Sequence, residues 1–181
     1  RATQTITYPS RIMLIAAMNP CPCGYLTDSK NQCRCTYQQV HRYRSKISGP
    51  LLDRIDIHVD VPAVPYNDLV SKSNGENSAD IRNRVHAARS LQVDRYQSTQ
   101  IFSNAQMNSR QLKRFCFLDT GSRHLLETVI DKFGLSARAY NRILKIARTI
   151  ADLADQESIT MEHVSEAVQF RSLDRRRKPG Y

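Results

Sequence analysis

The chain has 181 residues, and its 27 Lys and Arg against 17 Asp and Glu give a formal net charge of +10. A hydrophobic content of 40% with 24% charged residues is ordinary for a folded protein and excludes a fully disordered chain. No apolar run reaches the roughly 18 residues of a membrane span, and no signal peptide opens the chain, so we expect a cytoplasmic protein with no membrane partner. The first residue is Arg1, not Met, and we expect a piece of a longer protein.

Positive charge is densest at the C-terminus, where residues 171–178 contain five basic residues and one acidic residue. A basic balance favours anionic partners such as nucleotides or nucleic acid. The alternative is a solvated chain end without a ligand. The cations that form the candidate nucleic-acid contact in this tail are Arg175, Arg176, Arg177 and Lys178.

The first 65 residues have the pattern of an incomplete α/β domain. Residues 12–18 form a continuous apolar run, which predicts a strand buried on both faces of a parallel sheet. Apolar residues alternate with polar ones over 55–61, which predicts a second strand with one polar face. A helix over 37–47 and a short helical turn after Ser48 separate the two strands. A linker is predicted over 66–79.

The pattern beyond the linker is helical, and it predicts an all-α bundle of five helices within residues 80–170. Hydroxyl side chains precede the last two helices as N-caps, and Gly134 is placed as a C-cap. A basic tail, 171–181, follows the bundle. The predicted helices span 80–97, 108–117, 122–133, 136–153 and 160–170.

Four of the five cysteines form a C-x-C-x9-C-x-C pattern: Cys21, Cys23, Cys33 and Cys35. Four thiolates in two tight pairs can close a tetrahedral zinc site, and His41 is a conceivable substitute for one of them. Free thiols and a redox role are the alternatives, and two disulfides fit a cytoplasmic chain less well. Cys116 lies on an apolar helical face and is predicted to be a core residue.

Two further polar residues stand at the ends of predicted strands. Asn19 ends the apolar strand, where an amide can contact a bound ligand, although Asn before Pro is also an ordinary turn residue. Arg54 directly precedes the second strand. Its planar guanidinium fits phosphate oxygens, and the alternative is a local ion pair with Asp53 or Asp56.

The helix predicted over 136–153 has one apolar and one basic face. Its apolar face carries Ala139, Ile143, Ile146, Ala147 and Ile150, and its basic face carries Arg138, Arg142, Lys145 and Arg148. Arg138 lies in the first turn, beside the positive end of the helix dipole, and an anion bound there would offset that repulsion. A solvated basic face explains the other three cations, so Arg142 and Lys145 are only candidate nucleic-acid contacts.

Three stretches in this order, residues 16–24, 48–57 and 135–153, resemble the magnesium-chelatase-related AAA+ ATPases of the ComM/YifB type. The resemblance covers nearly the whole chain. It implies the C-terminal part of such a protein: the end of the α/β ATPase core followed by the helical lid.

By this resemblance, Asn19 looks like the sensor-1 residue, Arg54 like the arginine finger that acts on a neighbouring subunit's ATP, and Arg138 like sensor 2. The resemblance also implies ATP and Mg²⁺ as cofactors of the full-length protein, a hexameric ring of identical subunits, and DNA as a partner. It suggests a helicase or branch-migration factor in natural transformation.

The chain departs from the family pattern where the nucleotide is held. None of its six glycines precedes a lysine, so it has no G-x-x-x-x-G-K-[ST] motif, and no Asp-Glu pair follows an apolar strand. We therefore expect no ATP hydrolysis by this chain alone. A zinc-stabilised nucleic-acid-binding module is the alternative function, and a chelatase motor subunit is a third.

Overall fold

The structure is a computed structural model that describes residues 6–9, 12–28, 30–64, 66, 70 and 75–171. The chain divides into two compact units, residues 1–46 and 47–181. The described part is mostly helical. None of its helices is both long and apolar enough to cross a lipid bilayer.

In the first unit, the regular element is helix α1, Tyr37–Arg44. Its N-terminus is closed by a capping box, in which the Gln39 N–H donates to Thr36 Oγ1 (3.3 Å) and the Thr36 N–H donates to Gln39 Oε1 (2.9 Å). The helix ends at Arg44 with Ser45 as its C-cap, three residues before the predicted end. A local cap thus explains the predicted helix start.

The strand predicted over residues 12–18 is not formed. These residues carry no regular structure, and the side chains of Ile12, Met13 and Ile15 are more than four-fifths exposed. A strand needs partner backbone to satisfy its N–H and C=O groups. Within the described residues, β-pairing is limited to a parallel bridge between Leu118 and Ile159. The apolar run therefore has no sheet to join here, and the predicted core remnant is not seen.

The second unit contains six α-helices and one 3₁₀ turn within the described residues. Each of the five predicted bundle helices is confirmed, with ends shifted by at most two residues. Gly134 is the predicted C-cap and has φ 61°, a left-handed conformation that suits glycine. The elements are α2 (Gly49–Leu52), α3 (Ser78–Arg95), a 3₁₀ turn (Asn104–Gln106), α4 (Ser109–Phe115), α5 (Thr120–Phe133), α6 (Ala137–Leu153) and α7 (Met161–Gln169).

The second predicted strand, 55–61, is also not formed, and its burial does not follow the predicted alternation. His58, predicted for the polar face, is 6% exposed, whereas Ile57 and Val59 are exposed. The His58 N–H donates to the Phe170 carbonyl just after α7 (2.8 Å), instead of to a strand neighbour. The segment therefore packs against the helical unit.

Helix α6 is the centre of the bundle and packs on α3, α4 and α7. Its predicted apolar face is confirmed, because Ala139, Ile143 and Ala147 are at most 1% exposed. Ala167 of α7 is also fully buried, so small side chains on both helices allow close approach. Cys116 is buried in this core as predicted, and burial raises the pKa of its thiol to about 11.

A buried polar network surrounds Asp152 near the end of α6, and the sequence patterns did not predict it. The Asp152 carboxylate accepts hydrogen bonds from Arg95 Nη1 (2.8 Å), Asn104 Nδ2 (2.7 Å) and Arg148 Nε (3.0 Å). Arg148 also donates to the Gln156 and Glu157 carbonyls. The prediction that Arg148 lies on a solvated face is therefore wrong. Its guanidinium is buried and binds Asp152 and the two carbonyls that follow α6.

We expect Ile143→Ala to lower the free energy of unfolding by about 2–5 kcal/mol, because it leaves a cavity at a fully buried site. Ile81→Ala on α3 is the matched control. Ile81 is 42% exposed, so its loss should change stability by no more than about 0.5 kcal/mol. Urea unfolding followed by circular dichroism measures both variants, and equal losses would contradict this assignment of the core.

The Asp152 network predicts acid sensitivity. Burial alone would raise the pKa of the Asp152 carboxyl, but hydrogen bonds from Arg95 and Asn104 and the nearby arginine charges lower it below its usual value. A carboxyl with a lowered folded-state pKa stabilises the fold above its unfolded-state pKa of about 3.9, and this contribution is lost as the pH falls through the folded-state pKa.

Asp152→Asn should therefore cost about 3–5 kcal/mol at pH 7, because the buried Arg148 and the partly buried Arg95 lose their counter-charge. Urea unfolding at pH 7 and pH 3 should show a smaller difference between the two pH values for the variant than for the parent chain. The exposed Asp131→Asn serves as control. An unchanged pH difference in Asp152→Asn would contradict the role of this carboxylate.

Candidate functional site

The four predicted cysteine ligands lie together in the first unit. The Cys21 and Cys23 Sγ atoms are 3.4 Å apart, and the Cys33 Sγ lies 3.7 Å from Cys21 Sγ and 3.6 Å from Cys23 Sγ. All four sulfur atoms, including that of Cys35, lie within 4.8 Å of one another. Cys21 is fully buried, and all five cysteines of the chain are free of disulfides.

Local turns bring the two cysteine pairs together. The Gly24 N–H donates to the Cys21 carbonyl (3.1 Å), and Gly24 has φ 85°, so glycine suits this tight turn. Further along the loop, the Asp28 carboxylate accepts the N–H groups of Lys30 (2.7 Å) and Asn31 (2.9 Å). These bonds lie between the two cysteine pairs, and they lower the pKa of the Asp28 carboxyl.

The sulfur spacing fits a tetrahedral metal ion. Four thiolates at the usual Zn–S distance of about 2.3 Å stand about 3.8 Å from one another. The separations among the Cys21, Cys23 and Cys33 sulfur atoms, 3.4 Å, 3.7 Å and 3.6 Å, are close to that spacing. Among the described residues, the group that could hold a metal consists of the four cysteines. His41 is not in it, and its ring centroid lies 6.2 Å from that of Tyr37.

The thiols of Cys23 and Cys35 differ in pKa when no ion is bound. Backbone N–H groups of Tyr25 and Arg34 lower the pKa of Cys23 to about 6. Burial raises the pKa of Cys35 to about 12. A divalent cation among the sulfur atoms would favour the thiolate at every position, which is the chemistry that this donor set offers.

Asn19 lies directly before the cysteine cluster and is exposed. A Cβ added to Gly24 would lie 3.9 Å from Asn19 Nδ2, so the first cysteine turn passes close to the amide. The next residue, Pro20, accepts a hydrogen bond at its carbonyl from Arg44 Nε of α1 (3.2 Å). The cluster and α1 thus hold the backbone that carries Asn19.

Arg54 lies two residues after α2 and is exposed. Its Nη1 donates to the Pro50 carbonyl (2.8 Å), so the guanidinium folds back along the short helix. Asp56, one of the two carboxylates considered as its ion-pair partner, pairs with Arg142. The position of Arg54 at the exposed end of a short helix leaves its charge open to a ligand.

Arg138 lies in the first turn of α6, as predicted, and is exposed. Ser136 caps the helix by accepting the Ala139 N–H (3.2 Å). The two candidate nucleic-acid contacts on the same helix have partners within this unit. Arg142 pairs with Asp56, and Lys145 Nζ donates to the Ala105 carbonyl (2.7 Å).

Burial, and then the charge of Arg142, lowers the pKa of Lys145.

The remaining candidate nucleic-acid contacts lie outside the described residues. They are Arg175, Arg176, Arg177 and Lys178. Arg171 stands at the start of the predicted basic tail, yet its side chain is 1% exposed. The sequence could not predict this burial, because it depends on the distant carbonyls of Ile55 and Asp56, to which Arg171 donates hydrogen bonds.

Two family models match the chain. The model for the C-terminal region of magnesium chelatase subunit ChlI matches residues 75–171, and the model for magnesium chelatase subunit ChlI matches residues 1–69. The first match alone covers more than half of the chain.

Curated relatives agree with these matches. Competence protein ComM of Haemophilus influenzae is 41% identical over 97% of the chain, and YifB of Escherichia coli K12, described as uncharacterized, is 42% identical over 97%. An uncharacterized protein of Mycobacterium bovis is 34% identical over 94%. The chain spans about a third of the length of these relatives (33%, 34% and 33%). With a family match over both of its regions, the chain belongs to the magnesium chelatase subunit ChlI family.

Proposed function

We propose that the chain is the C-terminal part of a ring-forming AAA+ ATPase, in which Asn19, Arg54 and Arg138 act on ATP bound with Mg²⁺. The observation that carries this proposal is a contrast among the arginines. Arg54 and Arg138 are exposed, whereas Arg148 and Arg171 are at most 3% exposed and bind groups of their own unit. An exposed guanidinium group suits phosphate, and Arg138 in addition lies at a helix N-terminus, which favours anions.

Each proposed residue has one task in phosphoryl transfer, a reaction that depends mainly on positioning and charge stabilisation. The Asn19 amide would orient the water that attacks the γ-phosphate. Arg54, presented to the neighbouring subunit's ATP, would neutralise charge that develops on the transferred phosphoryl group. Arg138 would bind phosphate oxygens of a nucleotide from the helical lid. Mg²⁺ bound with the nucleotide would neutralise part of its phosphate charge.

The phosphate cradle and the acid that holds Mg²⁺ belong, in this proposal, to another part of the longer protein, since the chain has no Walker A or Walker B motif. Self-association follows from the need for Arg54 in trans, and we propose a hexameric ring on the family resemblance. We propose DNA as the partner and natural transformation as the setting, because the chain is basic and its Haemophilus relative is named a competence protein.

The test compares steady-state ATPase activity of the full-length protein with and without DNA. We expect DNA to stimulate turnover, and Arg54→Ala to lower kcat by about 10³-fold or more while nucleotide binding persists. Arg110→Ala, an exposed arginine in the first turn of α4, is the matched control and should leave turnover unchanged. The chain alone should show no turnover above background.

A normal kcat for Arg54→Ala would overturn the finger assignment. It would bring forward the alternative, a zinc-stabilised nucleic-acid-binding module. That module predicts salt-sensitive DNA binding by this chain, lost when residues 175–178 are removed. A third function, a chelatase motor subunit, has only the family's name in its support.

We also propose that Cys21, Cys23, Cys33 and Cys35 bind one structural Zn²⁺. The sulfur spacing supports a tetrahedral site, and four protein ligands leave no open position for catalysis. By closing the loop that follows Asn19, the ion would stabilise the backbone at the proposed sensor.

Metal analysis of the purified chain should find about one zinc per molecule, as expected for a single centre with four cysteine ligands. Cys33→Ser should lose most of this zinc, because a hydroxyl is a poor substitute for a thiolate. Cys116→Ser is the matched control, since Cys116 is buried in the helical core and should not affect metal content. A metal-free chain whose cluster thiols all react with a thiol reagent would show that these cysteines are free.

A further inference from the structure

The segment 55–58, which directly follows Arg54, is bound to the helical lid by three separate contacts. The first comes from Arg171, whose guanidinium Nη1 donates to the carbonyls of Ile55 and Asp56 (3.3 Å for Asp56). Arg171 is 1% exposed, so its charge is buried among acceptors from a segment more than 110 residues away in sequence. A buried guanidinium is costly unless it is hydrogen-bonded, so this contact strongly favours one position of the segment.

The other two contacts come from the ends and the face of the lid helices. The His58 N–H donates to the Phe170 carbonyl (2.8 Å) just after α7. The Asp56 carboxylate forms an ion pair with Arg142 of α6. Arg142 lies one helical turn after Arg138, on the same face of α6. The 55–58 segment is therefore attached to the helix that carries the proposed sensor-2 residue.

Arg54 stands between this attached segment and helix α2. The Arg54 N–H donates to the Leu51 carbonyl (2.9 Å), and the Ile55 N–H donates to the Leu52 carbonyl (3.1 Å). Because neighbouring Cα atoms are about 3.8 Å apart and only Ile55 separates Asp56 from Arg54, an anchored Asp56 limits how far the Arg54 backbone can lie from it. The contacts at Ile55 and Asp56 thus limit where the Arg54 guanidinium can be presented.

We propose that the Asp56–Arg142 ion pair, with Arg171 beside it, positions Arg54 and links it to the lid helix that carries Arg138. This inference rests on the proposed function, because it needs Arg54 to act as the finger. Arg142 and Arg171 touch no nucleotide in this scheme. They act through the backbone of 55–58, so a displacement of α6 at Arg138 changes the presentation of Arg54.

The partly exposed ion pair is the better place for a test than Arg171. The side chains of Asp56 and Arg142 are 58% and 21% exposed, so their variants should fold, whereas Arg171 is buried. We expect Arg142→Gln and Asp56→Asn in the full-length protein to lower kcat for ATP about tenfold to hundredfold, as a small misplacement of a reacting group does, with KM for ATP nearly unchanged.

Two combined variants separate positioning from general damage. The charge exchange Asp56→Arg with Arg142→Asp should recover a large part of the lost kcat, because the pair is restored with reversed signs. In an Arg54→Ala background, Arg142→Gln should cause no further loss, since the residue through which it acts is gone. The exposed Arg84–Glu76 pair is the matched control, and Arg84→Gln should leave kcat unchanged.

The outcomes distinguish this inference from the proposed function. If Arg54→Ala retains full turnover, the finger assignment fails. If Arg54→Ala is inactive but Arg142→Gln and Asp56→Asn have normal kcat, only the positioning role fails. A further loss of kcat from Arg142→Gln in the Arg54→Ala background would also overturn the positioning role. The same holds if Arg142→Gln lowers DNA affinity but leaves kcat unchanged in the absence of DNA.

Discussion

The helical unit depends on one buried carboxylate. Asp152 has no exposed side-chain surface, and it receives hydrogen bonds from α3, from the 3₁₀ turn and from α6. Arg148, held by the same carboxylate, satisfies the carbonyls of Gln156 and Glu157 in the connection to α7. Because each buried polar group in this network needs its partners, the elements that meet at Asp152 are fixed together. The apolar faces of α6 and α7 then close against each other.

The same principle explains how a basic chain uses its arginines. Arg95, Arg148 and Arg171 carry positive charge, yet they bind Asp152 or backbone carbonyls inside the helical unit. A net charge of +10 therefore overstates the cationic surface offered to an anionic partner. Arg54 and Arg138 are among the arginines that stay exposed, and they remain candidate phosphate ligands, whereas Arg142 near Arg138 pairs with Asp56.

The first unit is organised differently, since it has few buried residues and its apolar segment 12–18 is exposed. Its order comes from turns, the capped helix α1 and the cysteine cluster. A metal ion would supply there the cross-linking that a hydrophobic core supplies elsewhere. The proximity of Gly24 to Asn19 gives such an ion a structural link to the proposed sensor.

The sequence by itself determined the features that depend on neighbouring residues. The cap residues Ser136 and Gly134 and the apolar face of α6 identified helices, because capping and helical periodicity are local. The cysteine spacing likewise indicated a cluster, since short turns alone can bring the two pairs together.

Only the tertiary structure decided where the non-local partners lie. The two expected strands did not form, because a strand needs hydrogen bonds from distant backbone, and His58 found its acceptor at Phe170 instead. Arg148 was assigned to a basic helix face and Arg171 to the basic tail. Both are buried, because Arg148 binds Asp152 and two carbonyls and Arg171 binds the carbonyls of Ile55 and Asp56. A charged side chain has the same sequence signal in solvent and in a buried ion pair, so its role is settled by what the fold places beside it.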